Sequence, residues 1–412
     1  MAEISLATLQ EKTSRVAVVA MGIVSPLGLG SEETLGALTA GRDCISSVTR
    51  FPVDQCRCST AGQVPDQILA QADRFYPHPA RRHRVAQMMV LALAEALRQA
   101  PDFQPEISIV ATTSGGMTFG EEYYRRLKAT RSLSASDRSE PALIANYTPQ
   151  KAVMDAQEAL HINSPCQIVA NACASGTNAI GHAFECIRSG QYQRILTGGY
   201  DAVSELVFVG FDSLQASTSE KCRPFDRERT GMVLGEGAAV LLLENLDQAV
   251  ARGANVLAEI IGYGISTDNY HLTQPDPSGI GPRRAMAGAL GDAGIEAGLI
   301  GYVNAHGTAT PFNDAAEGKA IAELFNRVPV SSTKGMMGHS LGAAGAIEAV
   351  VSILALQNRF LPPNINFRTG DLGLDLNIVT TGANAPNLQT ALSNSFGFGG
   401  TNASIIFRTL QV

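Results

Sequence analysis

Twice along this chain, short apolar runs alternate with helical patterns in the same order, and that double alternation restricts the fold more than any other feature. RVAVVAMGIVS (15–25), ISIVATTSG (107–115), CQIVANA (166–172), RILTGGYDA (194–202) and VLGEGAAVLLLENL (233–246) read as buried strands. Helix-like stretches cover about 81–99 and the segment 171–190. After residue 255 the plan repeats. VLAEIIGYGIS (256–266), LIGYVNAHG (299–307) and VPVSSTKG (328–335) read as strands, and 283–294, 314–325 and 340–358 as helices. ALSNSFGFGGTNASIIFRT (391–409) reads as a hairpin around a Gly-rich turn. Strands alternating with helices predict an α/β architecture with largely parallel sheets. Similar order without similar residues points to a structural duplication, with halves at 1–250 and 251–412 and a boundary near 247–255. No low-complexity linker separates them, so one compact body is expected. Segment 117–150 is polar and charged, an excursion suited to an interface or a lid.

Composition matters here for what it excludes. A formal net charge of −7 argues against a global nucleic-acid footprint. The 7 cysteines are scattered, with no metal-ligand spacing, so no zinc site is expected and a reducing, cytoplasmic setting fits. The first residues, MAEISLATLQEKTSR, have no apolar core of a signal peptide, and no run approaches the ~20 apolar residues of a membrane span.

Cys173 follows the apolar run QIVANA and precedes SGTNAIGHAFECI, which places it at a strand-to-helix turn on the first turn of the helix. Free N–H groups and partial positive charge there favour a thiolate. Ala172, Ala174, Ser175 and Gly176 are small enough to let a substrate and a backbone approach. A buried structural cysteine is the alternative, and it is the reading kept for Cys166, Cys186 and Cys222. His306 lies past a strand end in YVNAHGTATPFND, where ligands bind in α/β sheets. His339, in SSTKGMMGHSLGAAGAIE, lies between a strand and a small-sided helix. A cysteine and two histidines, each just past a strand end, make a stronger case together than singly. NSFGFGGTN (394–402) can present backbone N–H groups to an oxyanion and lacks the phosphate-loop pattern. His182 is read as a core histidine, and residues 226–229 as a solvated or ion-paired turn.

NACASG (171–176), CRPFDRERTGMVLGEGAA (222–239), YVNAHGTATPFNDAAE (302–317), SSTKGMMGHSLGAAGAIE (331–348) and NSFGFGGTNAS (394–404), in this order, resemble the β-ketoacyl-[acyl carrier protein] synthases I and II of the thiolase-like group. The resemblance runs from about 15 to 409. It implies a thiolase-like five-layer αβαβα fold built from two similar halves, with Cys173 as nucleophile in a triad with His306 and His339. It further implies supporting roles for Lys334 and Glu317, a gate at Phe398, and an oxyanion hole from the N–H groups of Cys173 and Phe398. His271, Thr273, Thr308 and Thr310 would line the site. The implied reaction is decarboxylative condensation of an acyl group on Cys173 with malonyl-acyl carrier protein, in fatty acid or polyketide/polyene biosynthesis. Residue 339 is His and SFGFGG holds no Cys, which favours condensation over the thiolase-type reverse reaction. NACASG in place of a TAC core, and the atypical segment 121–141, touch no catalytic residue.

No metal or cofactor is expected beyond the phosphopantetheine that carries the substrates. The resemblance implies an acyl carrier protein as partner and a dimer, either of this chain or with a chain-length-factor-like homologue. Arg81, Arg82 and Arg84, or Arg125, Arg126 and Lys128, are candidate docking cations for an acidic carrier; a solvated helix face is the alternative. Two other functions remain open at this level: a non-catalytic partner in a condensing heterodimer, and an acyltransferase that forms no carbon–carbon bond.

Overall fold

The computed structural model describes residues 14–76, 83–130, 147–371 and 373–410. Ten strands carry the fold. Those of the first half are β1 (Val16–Ser25), β2 (Ile107–Ala111), β3 (Cys166–Val169), β4 (Arg194–Asp201) and β5 (Gly237–Asn245). Those of the second are β6 (Ala258–Thr267), β7 (Tyr302–Asn304), β8 (Pro329–Ser331), β9 (Thr390–Gly397) and β10 (Thr401–Arg408). The helices needed below are α1 (Arg84–Gln99), α2 (Met117–Thr130), α3 (Lys151–Ala159), α4 (Ser175–Arg188), α5 (Glu205–Ser213), α6 (Ile280–Ala293), α7 (Pro311–Leu324) and α8 (Ala344–Asn358).

The duplication is visible in the strand order. The first half runs β1-β5-β4-β2-β3 and the second β6-β10-β9-β7-β8, the same arrangement strand for strand. Directions match too. In each half the first three strands of that order are mutually antiparallel, and the last two join in parallel. The sheets are therefore mixed, not largely parallel as expected. A short Gly-rich turn such as 397–401 can only return the chain antiparallel, whereas strands joined through α4 or α8 have the length to cross over. Val16, Ala17 and Val18 pair with Ile260, Glu259 and Ala258, so one ladder of 12 strands, counting two short edge pieces, runs through both halves.

Side-chain alternation builds the layers. On β5, Ala239, Leu241 and Leu243 face a central cluster with α4 and α8, while Ala238, Val240 and Leu242 face an outer cluster with α1 and α3. On β10, Ile405 and Phe407 face the same centre, and Ile406 faces α6 and α7. Both faces of both half-sheets are thus buried, which explains the near-continuous apolar strand sequences. The result is helix, sheet, central helices, sheet, helix: the expected five layers. The 18-residue apolar segment Leu341–Asn358 is 89% buried, the central helix of this core.

The two central helices cross closely enough to require glycine. A Cβ on Gly345 would stand 2.3 Å from Thr177 Oγ1 and 2.5 Å from Thr177 N; one on Gly176 would stand 2.7 Å from Ala346 N. Gly345→Ala is expected to destabilise the protein by about 1–3 kcal/mol, the usual effect of overpacking, read as a lower thermal midpoint. An unchanged midpoint would contradict the close crossing. His182, expected in the core, is exposed. It follows Asn178 and precedes Glu185 on the one polar stripe of α4, while Ile180, Ala183, Phe184 and Ile187 face inward.

Candidate active site

The duplication places Cys173 and His339 at equivalent positions, each in the turn from the third strand of its half to a central helix. Cys173 precedes α4 rather than sitting within it, since the helix begins at Ser175. Ala172, at φ 58°, makes the turn sharp. Ser175 Oγ accepts from Asn171 N at 2.8 Å and donates to Ala172 O at 2.5 Å, bracing the strained residue from both sides. On the other half, Gly338 at φ 78° lets the chain approach Leu234, whose carbonyl oxygen would lie 2.6 Å from a Cβ there. The backbone of His339 is then fixed by its N–H to Val233 O (2.7 Å) and by Gly235 N–H to its own carbonyl (2.8 Å).

His306 sits in the loop between β7 and α7, and the helix reaches back to hold that loop. Glu317 Oε1 accepts from His306 N and Oε2 from Gly307 N, both at 2.8 Å; Asn394 Nδ2 donates to the same carboxylate at 3.0 Å. Asp314, one turn earlier, accepts from Ala309 N at 3.1 Å and Phe225 N at 2.7 Å. Burial pushes the Glu317 carboxyl up to about 7 against the pull of Gly307 N–H and Asn394.

Lys334 and the two histidines form one buried group. The Lys334 ammonium pairs with Glu348 on α8 and lies 3.3 Å from His306 Nδ1. An ammonium can only donate, so His306 Nδ1 accepts and the ring proton sits on Nε2. Burial first, then Lys334, hold both histidines well below the usual imidazole range, so both are neutral at pH 7. Their rings meet edge-on at 5.2 Å. Neither ring nitrogen of His339 has a hydrogen-bond partner among the described residues.

Cys173, His306, His339, Thr273, Thr308, Thr310 and Phe398 line one pocket of about 190 Å³. The backbone N–H groups of Phe398 and Cys173 both pull the Cys173 thiol pKa down. The Phe398 ring closes one wall, stacked on Phe211 of α5 at 5.5 Å between centroids. The electrostatics reverse the expected thiolate. Burial pushes the Cys173 thiol up to about 11, despite Lys334 and the two N–H groups. A helix N-terminus contributes about 0.3–1 kcal/mol in the other direction, less than the ~1.4 kcal/mol that moves a pKa by one. The resting residue is a thiol. Alkylation of Cys173 by iodoacetamide should accelerate roughly tenfold per pH unit between 7 and 10; a plateau below pH 8 would contradict the protonated resting state.

Several expected site residues lie elsewhere. His271 is exposed and outside the pocket lining; its Nδ1 accepts from Thr273 N at 3.1 Å. Arg84 is buried, with Nε 2.7 Å from Glu236 and Nη1 2.7 Å from Asp66, so it cannot dock a partner. Arg81 and Arg82 lie outside the described residues. Arg125 pairs with Glu205 and Arg126 with Glu122, while Lys128 rests over the Tyr124 ring at 5.0 Å. These cations are already engaged within the protein. In the turn 226–229, Asp226 is buried against the N–H groups of Arg368 and Thr369, and Arg229 pairs with Asp371. Glu348 and Asn394 were not singled out from the sequence; the signal for Glu348 was a lone carboxylate in an otherwise apolar helix.

The family models described as "Beta-ketoacyl synthase, N-terminal domain" and "Beta-ketoacyl synthase, C-terminal domain" match residues 13–249 and 257–368. The chain is 35% identical to the 3-oxoacyl-[acyl-carrier-protein] synthase 2 of Synechocystis sp., over 98% of this chain and 100% of that protein. Among solved structures it is similar to a chain of the ishigamide ketosynthase/chain length factor, at TM-score 0.89 and 33% identity over 97% of this chain and 100% of that one. It is also similar to a chain of a type II PKS acyl-carrier protein in complex with its ketosynthase bound to the hexaketide, at TM-score 0.87 and 27% identity over 97% and 100%.

Proposed function

The chain belongs to the β-ketoacyl synthase family, and from that premise we propose that Cys173, His306 and His339 carry out decarboxylative condensation of an acyl thioester with malonyl-acyl carrier protein. The observation that carries the assignment of roles is the meeting of these three side chains in one pocket, with Cys173 and His339 at equivalent turns of the two halves.

In the first half-reaction the Cys173 sulfur attacks the acyl thioester. A new C–S bond forms at Cys173, the carrier's C–S bond breaks, and the carrier thiol leaves with the proton that Cys173 gave up. The oxyanion is met by the N–H groups of Cys173 and Phe398. In the second, the malonyl C–C bond to its carboxylate breaks and CO₂ leaves. The electron pair moves onto the thioester as an enolate, stabilised by N–H donors of the neutral His306 and His339. The enolate carbon attacks the acyl group on Cys173, its C–S bond breaks, and the sulfur regains a proton from solvent. Each such donor is worth about 3–4 kcal/mol in the transition state.

The substrates arrive on the phosphopantetheine of an acyl carrier protein, past Thr308 and Thr310, whose hydroxyls lie 2.9 Å apart at the pocket. The protein works as a dimer in the cytoplasm. β3 is the outermost strand of its half, and the groove beside it carries Met154, 50% exposed, with Ile162 and Ile168. A second copy or a homologue covers this edge; sedimentation of a monomer at micromolar concentration, with no homologue able to bind it, would rule that out. The reaction itself is tested by stoichiometry: one CO₂ released per 3-oxoacyl-carrier formed. Acyl transfer without CO₂ would mark a plain acyltransferase instead.

A further inference from the structure

Asp201 closes β4 and is fully buried, yet the reaction above does not use it. Its carboxylate accepts five hydrogen bonds: from Thr112 Oγ1 (2.7 Å), Thr113 N (2.8 Å), Ser114 N (2.8 Å), Ser114 Oγ (2.7 Å) and Gly342 N (2.7 Å). Hydrogen bonds to an ionised carboxylate are roughly twice as strong as neutral ones, so this is a firm junction. Two of the five lead to the active site from opposite halves. Thr113, bound through its N–H to Asp201 Oδ2, donates its hydroxyl to Ala172 O at 3.1 Å. Ala172 is the strained residue that precedes the nucleophile. Gly342, bound to the same Oδ2, lies three residues past His339 in the turn that leads into α8. The fit allows no side chain: a Cβ on Gly342 would stand 2.6 Å from Thr113 N and 2.8 Å from Asp201 Oδ2.

We infer that Asp201 is a positioning residue that sets the separation of Cys173 and His339, by holding the nucleophile's turn and the histidine's turn on a single carboxylate oxygen. The inference rests on the condensing reaction proposed above. One oxygen shared by the two halves couples two partial reactions that use different groups: acylation depends on the Cys173 turn, and malonyl decarboxylation on the His339 turn. A displacement of about 1 Å in such a site costs on the order of 10²-fold in rate.

The test measures both rates on each enzyme: acylation of Cys173 from an acyl-carrier protein, and CO₂ release from malonyl-carrier protein without acyl donor. Thr113 is exposed, so Thr113→Val should fold. It is expected to lower the ratio of acylation to decarboxylation about tenfold, and Thr113→Ser, which keeps the hydroxyl, to restore it. Gly342→Ala, whose Cβ would press on both Thr113 and Asp201 Oδ2, strains the two turns together and is expected to lower both rates. Asp201→Asn should lower both rates with the KM for each carrier unchanged. A ratio unmoved by Thr113→Val, or a Gly342→Ala enzyme with both rates intact, overturns the positioning role. If Gly342→Ala does not fold, the Thr113 pair alone decides. A wild-type enzyme inactive in both assays fails the proposed reaction instead, and so is told apart from failure of this inference.

Discussion

Cys173→Ala is expected to abolish the acyl-enzyme and to lower condensation by at least about 10⁴-fold, since no second nucleophile can carry the acyl group. Cys166, Cys186 and Cys222 do not line the pocket. The same variant should still release CO₂ from malonyl-carrier protein within about tenfold of the wild-type rate, because the donors for the enolate are His306 and His339 rather than the sulfur. Retention of condensation would remove Cys173 from its role. Loss of decarboxylation along with condensation would mean that the two half-reactions are not divided between the thiol and the histidines as described.

Lys334→Met is expected to destabilise the fold by about 3–5 kcal/mol, because it leaves the Glu348 carboxylate buried without its cation. The pH dependence follows from the sign of the shift. Even beside Lys334, burial pushes Glu348 up to about 7 from its ordinary 4.5. Without the cation it rises further. A carboxyl whose folded pKa is raised disfavours folding increasingly as the pH climbs above 4.5. The loss should therefore be largest above pH 7 and shrink as the pH falls toward 4.5, below which Glu348 is protonated in the folded and in the unfolded chain alike. Denaturant unfolding at pH 5.5 and pH 8 measures this. Lys334→Met/Glu348→Leu should recover most of the stability, as replacement of a buried pair by apolar groups usually does. It should not recover turnover, since His306 Nδ1 still lacks the donor that places its proton on Nε2. A single variant as stable as wild type at pH 8 would contradict the buried pair.

The residues proposed as catalytic were legible because each stands in a strand-to-helix turn marked by small residues: Ala172 and Gly176 around Cys173, Gly307 after His306, Gly338 before His339. Those turns are local, and local chemistry survives in a sequence. The order of elements revealed the duplication for the same reason. Strand direction did not, because pairing partners such as Val16 and Ile260 lie far apart in the chain.

The misplacements share a cause as well. Arg84 belongs to a run of basic residues that looks like an exposed helix start, yet the fold turns it inward onto Glu236. Glu236 in VLGEGAA and Glu348 in GAIEAVV are lone carboxylates in apolar runs, both fully buried, and each holds a buried cation from a distant segment. A solitary acid in an apolar run signals such a pair, but not which cation completes it. His182 went wrong through the frame of α4, where Gly181 and Ala183 flank it and its own direction is toward solvent. The thiol of Cys173 was misjudged because helix polarity is readable from sequence, whereas the depth of burial that outweighs it is not.

The most direct test of the account is a single-turnover experiment followed by intact mass. The enzyme is loaded from an acyl-carrier protein, freed of donor, and mixed with malonyl-carrier protein. The predicted result is an acyl adduct on Cys173 that disappears at the rate at which 3-oxoacyl-carrier protein appears. An adduct that persists while malonyl-carrier is consumed, or product formed with no adduct on Cys173, would contradict it.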